Sequence, residues 1–104
     1  MSDPITVMIV DDHEMVRKGA KGYLEAQPEI KVVAEAESGE QAVRLARDFI
    51  PDVVLMDLVM PGMDGVEATR KVKDISPRTQ IIILTSFHED EHIFPALQAG
   101  AISY

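Results

Sequence analysis

Four short runs of β-branched and apolar residues constrain this chain of 104 residues more than any other feature. They are Ile5 to Val10, stopping at Asp11 and Asp12; Lys31 to Ala34; Val53 to Met56, stopping at Asp57; and Ile81 to Leu84, stopping at Thr85. Runs this short, without regular polar alternation, suit strands buried on both faces. The segments between them carry a helical period instead. Val16, Ala20, Tyr23 and Leu24 fall on one face of a first helix, and Ala42, Leu45, Ala46 and Phe49 on one face of a second. Ser38 with Gln41, and Asp64 with Glu67, have the capping-box spacing of helix starts, while Pro28 and Pro77 close the first and third helices. Strands alternating with helices imply βαβ units, hence a parallel sheet with right-handed crossovers and helices on both faces. After a helix stop at Gly100, Ala101 to Tyr104 reads as the start of a fifth strand. A five-stranded sheet of this kind needs a closing helix, so the chain reads as part of a longer protein.

The length suits one domain. Ten basic against eighteen acidic residues give a net charge of −8, which disfavours direct contact with nucleic-acid backbones or anionic lipid surfaces. With no cysteine, disulfides, thiolate metal sites and Cys nucleophiles are excluded. The opening Met1-Ser2-Asp3-Pro4 has no basic stretch, and the apolar run after it is too short for a signal peptide or a membrane span. A cytoplasmic protein is expected.

In open α/β sheets, ligands sit beyond the carboxyl ends of the strands where the strand order reverses. Asp11, Asp12, Asp57 and Thr85 all fall at such ends. Carboxylates about 4 Å apart repel by roughly 4 kcal/mol per pair at an effective dielectric near 20. A hard divalent cation offsets that, and Mg²⁺ characteristically takes one or two carboxylates together with a phosphate. A single Asp at a strand end is often only the cap of the next helix, and Asp12 has that alternative. An acidic pair, a third Asp and a hydroxyl at one sheet edge favour a site.

Three other motifs carry less. His88-Glu89-Asp90-Glu91-His92 matches the H-E-x-x-H zinc pattern, but its acidic interior, its place after a strand end and Pro95 nearby favour a solvated loop. His13 reads as a surface histidine at a helix start. Pro61 to Gly65 is turn chemistry and not a phosphate cradle.

Val10-Asp11-Asp12-His13, the block from Leu55 through Asp57 to Gly65, Leu84-Thr85-Ser86 and Ala99-Gly100-Ala101 resemble the receiver domain of bacterial two-component response regulators. Asp12-His13-Glu14 followed by Val16-Arg17-Lys18-Gly19 resembles the NarL/FixJ subfamily. The resemblance implies a flavodoxin-like doubly wound sheet of order 2-1-3-4-5. It implies Asp57 as acceptor of a phosphoryl group from a histidine kinase, and Mg²⁺ held by Asp12, Asp57 and the backbone carbonyl of Val59, with Asp11 acting mostly through water. Thr85 and Tyr104 would form the switch pair. It also implies a lysine three positions beyond Tyr104 and a final helix, which this sequence ends before reaching; without them phosphorylation and switching should be weak. Pro95 falls within the implied fourth helix, part of the family's output surface, and should make that helix start late or kink. A homodimer on phosphorylation, and DNA binding through a C-terminal LuxR-type helix-turn-helix domain not among these residues, are the implied partners and output.

Two readings from other classes compete. A phosphatase of the haloacid-dehalogenase class also uses an Asp nucleophile with Mg²⁺, but resembles D-x-D, and here Val59 stands two beyond Asp57. A degenerate receiver serving only as an interaction module is disfavoured by the intact Asp11, Asp12, Asp57 and Thr85. By the same resemblance, the apolar Val59 and Phe87 cannot orient a water, so hydrolysis of the acyl phosphate should be slow.

Overall fold

The computed structural model describes residues 3–84 and 98–100. The elements alternate as expected: β1 (Ile5–Val10), α1 (Glu14–Glu25), β2 (Ile30–Ala36), α2 (Gly39–Phe49), β3 (Val53–Asp57), α3 (Gly65–Ile75) and β4 (Gln80–Leu84). All pairings are parallel, and the order is β2-β1-β3-β4. Among the described residues the sheet therefore has four strands, not the five expected. Residues 101–104, where the fifth was placed, lie outside the described residues, as do Thr85 and the segment carrying His88, His92 and Pro95. Just before them, Gly100 has φ +121° after the helical Gln98 and Ala99, which agrees with the expected helix stop.

Strand alternation divides the core between the two faces of the sheet. Met8 and Val10 of β1, Val54 and Met56 of β3, and Ile81 and Ile83 of β4 pack with Ala42 and Ala46 of α2 and Ala68 and Val72 of α3. Val7, Ile9 and Val32 face the other way, toward Ala20 and Leu24 of α1. Burial of a side chain such as Ile9 or Met56, both fully covered, contributes about 1.5–3 kcal/mol.

The expected apolar face of α1 is only half used. Val16 and Tyr23 are exposed, because only the Ala20 and Leu24 side of the helix meets the sheet. Arg17 is its buried residue. In α2, Ala42 and Ala46 are fully covered, but Phe49 at the last turn is exposed.

Both anticipated caps form. Ser38 accepts from the Gln41 N–H, and Asp64 from the Glu67 N–H. Gln41 returns its bond to the Glu37 N–H rather than to Ser38, so that capping box closes one residue early. The cap of α1 is His13, with no side-chain capping bond, so Asp12 does not cap this helix. Among the described residues no helix is long and apolar enough to cross a membrane.

Candidate functional site

The order β2-β1-β3 places the carboxyl ends of β1 and β3 side by side at the reversal point of the sheet. Val10 pairs with Met56, so the residues that follow, Asp11 and Asp57, emerge together. Asp11 extends the ladder, its N–H donating to the Ala36 carbonyl at 3.0 Å. Its Oδ1 accepts from the His13 N–H at 2.8 Å and contacts His13 Nδ1 at 2.9 Å. Asp57 ends β3, and its Oδ1 accepts from the Val59 N–H at 3.2 Å. Ligand atoms of Asp11, Asp12, His13 and Asp57 all lie within 4.8 Å of one another.

Asp12 Oδ1 is the atom of this cluster with unmet demand. It is buried and accepts no hydrogen bond, although His13 Nδ1 lies 3.1 Å away, because that ring nitrogen is engaged by Asp11. A buried carboxylate oxygen without a donor is costly, and a cation among these groups satisfies it. His13 responds to the same field. The hydrogen bond with Asp11, followed by the negative charge of Asp12 and Asp11, raises its pKa above the ordinary 6.5, against the opposing effect of desolvation.

Behind the carboxylates lies a second layer. The buried Arg17 donates from Nη1 to the Asp11 carbonyl at 2.7 Å, while its Nε sits 3.5 Å from Glu35 Oε1 on β2. Lys18 and Lys21 also face Glu35, at 3.3 and 3.6 Å. Burial pushes the Glu35 pKa up, but the hydrogen bond from Lys18 and the charges of Lys18, Lys21 and Arg17 outweigh it, leaving the carboxyl below its ordinary 4.5. Beside Asp12 a groove of about 380 Å³ opens toward Pro61, lined also by Glu40, Gln41 and Arg44 of α2.

The structure thus brings together Asp11, Asp12 and Asp57, three of the residues singled out from sequence. Val59 enters through its N–H, and its side chain is half exposed. Thr85 and Tyr104 lie outside the described residues. Sequence reasoning missed two participants. His13 was read as a surface residue, and it is 69% exposed, yet its ring bridges the acidic pair. Arg17 shares a helical face with Ala20 and Leu24, and an arginine on an otherwise apolar stripe, one turn from an acidic strand end, was the available signal.

The comparisons with known proteins identify the family of the fold that carries these residues. Residues 7–104 match the response regulator receiver domain family. The chain is 53% identical over 100 residues to the transcriptional regulatory protein LiaR of Bacillus subtilis, covering 96% of this chain and 47% of LiaR. It is 50% identical over 100 residues to the response regulator protein VraR of Staphylococcus aureus, covering 96% of this chain and 48% of VraR. The chain therefore spans about half the length of the curated relatives it matches. Among solved structures, a LuxR-family two-component response regulator from Aurantimonas superposes with a TM-score of 0.90 at 39% identity, over 98% of this chain and 73% of that one. The signal receiver domain of the response regulator NarL from Mycobacterium tuberculosis gives 0.90 at 32%, over 98% and 82%. The acidic site at the ends of β1 and β3 is thus carried on a flavodoxin-like receiver fold, and the chain belongs to the response regulator receiver domain family, in its NarL/FixJ branch.

Proposed function

We propose that Asp57 is the phospho-acceptor of this receiver and that Asp11 and Asp12 hold Mg²⁺ beside it. The observation that carries the reading is the convergence of three carboxylates within 4.8 Å, with a buried Asp12 oxygen that has no hydrogen-bond donor. That donor set is all oxygen apart from His13, and hard oxygen donors fit Mg²⁺. Asp12, Asp57 and the Val59 carbonyl would hold the ion, with Asp11 acting through water. When bound, Mg²⁺ supplies charge neutralisation for the phosphoryl oxygens, where catalysis of this transfer chiefly lies.

The residues' own chemistry is short. A carboxylate oxygen of Asp57 forms a bond to phosphorus as the bond from phosphorus to the kinase imidazole nitrogen breaks, and the imidazole leaves with its electron pair. The Val59 N–H, donating to Asp57 Oδ1, orients the carboxylate for attack. Thr85 and Tyr104 complete the reading as the switch pair that responds to the new charge. The domain then acts as a signalling switch and catalyses only its own phosphorylation and slow dephosphorylation.

The partners follow from the same reading. A sensor histidine kinase supplies the phosphoryl group in the cytoplasm. Because LiaR is a transcriptional regulatory protein about twice this length, the whole protein is read as a transcription regulator that dimerises on phosphorylation and reaches DNA through a C-terminal helix-turn-helix domain.

The test is intact mass after incubation with acetyl phosphate, with and without Mg²⁺, for this chain, for Asp57→Ala and for a version extended through the implied lysine and final helix. The expected result is an Mg²⁺-dependent gain of one phosphoryl group, absent from Asp57→Ala. An adduct that persists in Asp57→Ala would remove Asp57 from the role. No adduct on the folded, Mg²⁺-loaded extended chain would move the weight to an interaction module, and steady turnover of the donor with no accumulating adduct would favour a phosphatase.

A further inference from the structure

We propose that Arg17 is a positioning residue of the acidic site, setting the orientation of the Asp11–Asp12 peptide and so the direction in which the Asp12 carboxylate faces. The inference rests on the reading of Asp11, Asp12 and Asp57 as a cation and phosphoryl site. Asp11 is tied on both sides of its Cα. Its N–H donates to the Ala36 carbonyl at 3.0 Å, fixing the peptide before it. Its carbonyl accepts from Arg17 Nη1 at 2.7 Å, fixing the peptide that leads to Asp12. Apart from those with His13, two residues along the same turn, these are the hydrogen bonds seen for Asp11 among the described residues.

Arg17 is itself held. Its side chain is 10% exposed, and Nε rests 3.5 Å from Glu35 Oε1. Side chains of an α-helix lean toward its N-terminus, so a residue in the first turn of α1 reaches back over the strand end it follows. A guanidinium spans two acceptors at once, here a main-chain carbonyl and a carboxylate on the neighbouring strand, which a lysine ammonium does less rigidly. The carbonyl it binds is buried with Asp11, where a charge-assisted bond is strong and its loss is felt locally. Glu35 does not depend on Arg17 for its charge balance, because Lys18 and Lys21 remain beside it. Removal of Arg17 therefore acts on the Asp11 side of the contact.

The experiment compares the unsubstituted chain with Arg17→Ala, Arg17→Lys and Glu35→Gln. Three readouts are taken: hydrogen exchange of the Asp12 and His13 amides in metal-free protein, the Mg²⁺ dissociation constant from amide chemical shifts, and the phosphorylation rate at saturating Mg²⁺. Arg17→Ala is expected to speed exchange at Asp12 and His13 and to weaken Mg²⁺ about tenfold. Arg17→Lys should recover part of both by restoring one donor to the Asp11 carbonyl, and Glu35→Gln should fall between. Arg17→Lys and Glu35→Gln keep the test decisive if Arg17→Ala does not fold. Mg²⁺ affinity within twofold of the unsubstituted chain in the folded variants, whatever the change in melting temperature, would overturn the positioning role. If the unsubstituted chain shows no Mg²⁺-dependent shifts at Asp11, Asp12 and Asp57, the site reading itself fails, and the proposal with it.

Discussion

Gly65 lies directly against the backbone of Asp57. A Cβ placed on Gly65 would fall on the Asp57 carbonyl oxygen and 2.6 Å from the Leu58 Cα, and main-chain atoms in a strand end cannot step aside as a flexible side chain can. The Gly65 N–H also donates to the Leu58 carbonyl at 2.9 Å, so the first residue of α3 is clamped to the chain just after Asp57. Gly65→Ala should cost about 1–3 kcal/mol through overpacking and slow phosphorylation of Asp57 by displacing the end of β3. Gly22 supplies the contrast: nothing lies within 4 Å of such an atom there, and Gly22→Ala in exposed α1 should stabilise by about 0.5–1 kcal/mol. Urea unfolding of the two variants, with phosphorylation rates, checks both directions. Equal stabilities would contradict the close approach.

A cation bound as proposed would compete with His13 for the same carboxylates. The hydrogen bond with Asp11 and the charges of Asp12 and Asp11 raise the His13 pKa above 6.5 in the metal-free protein. A group with a raised folded pKa adds its stabilisation below the unfolded value and loses it as pH rises through the folded value. Mg²⁺ neutralises the carboxylates that cause the shift, so saturation should bring the His13 pKa back down. By linkage, Mg²⁺ affinity should fall as pH drops through the His13 titration. Histidine ring NMR shifts followed against pH, with and without Mg²⁺, measure this, and a titration indifferent to Mg²⁺ would count against an ion at Asp11 and Asp12.

The strands were the most legible part of the sequence, because burial on both faces leaves an uninterrupted apolar run. Ile5–Val10 was read to the residue. The second run extends further in the structure, to Ile30–Ala36, because β2 pairs on only one side and so tolerates Glu35, whose carboxylate is matched by α1 cations. The apolar face of α1 was less legible. Periodicity shows which residues share a face, not whether another element covers it, and so Val16 and Tyr23 stay exposed. At the site, three strand-end aspartates were visible because their positions follow from strand ends alone. Arg17 was not, since its contact with the Asp11 carbonyl depends on how α1 leans over β1, which no local pattern records.

Glu35 gives a pH dependence of the opposite sign to His13. Burial pushes its pKa up, but the hydrogen bond from Lys18 and the charges of Lys18, Lys21 and Arg17 carry it below 4.5. A depressed folded pKa contributes stability above the unfolded value, and that contribution is lost as pH falls through the folded one. Glu35→Gln should therefore cost on the order of 1 kcal/mol at neutral pH, and its difference from the unsubstituted chain should shrink below about pH 4.5. Urea midpoints across that range decide it. A difference that stays constant through the acid limb would mean that packing, not charge, holds Glu35 to α1.

Asp12 sets stability against function. Its Oδ1 is buried without a hydrogen bond and sits within 4.8 Å of ligand atoms of Asp11 and Asp57, a repulsion that only a protonated His13, 3.1 Å away, offsets in the metal-free fold. Asp12→Asn removes one negative charge while keeping the shape of the side chain, so it relieves the repulsion with Asp11 and Asp57. Above the His13 titration, where no imidazolium faces Asp12, the metal-free variant should be more stable by about 1 kcal/mol, in the way that relaxing a strained functional site commonly stabilises a protein. In the same variant Mg²⁺ binding should weaken by at least tenfold, because a carboxylate ligand has become a neutral amide. The two effects cross over in one titration: thermal melts in chelator should rank Asp12→Asn above the unsubstituted chain, and melts in saturating Mg²⁺ should reverse that order, since only the unsubstituted chain gains the stabilisation of a tightly bound ion. An unchanged ranking with Mg²⁺ would mean that Asp12 is not a ligand. A less stable variant in chelator would mean that its carboxylate is held by favourable contacts and not kept under repulsion for the ion.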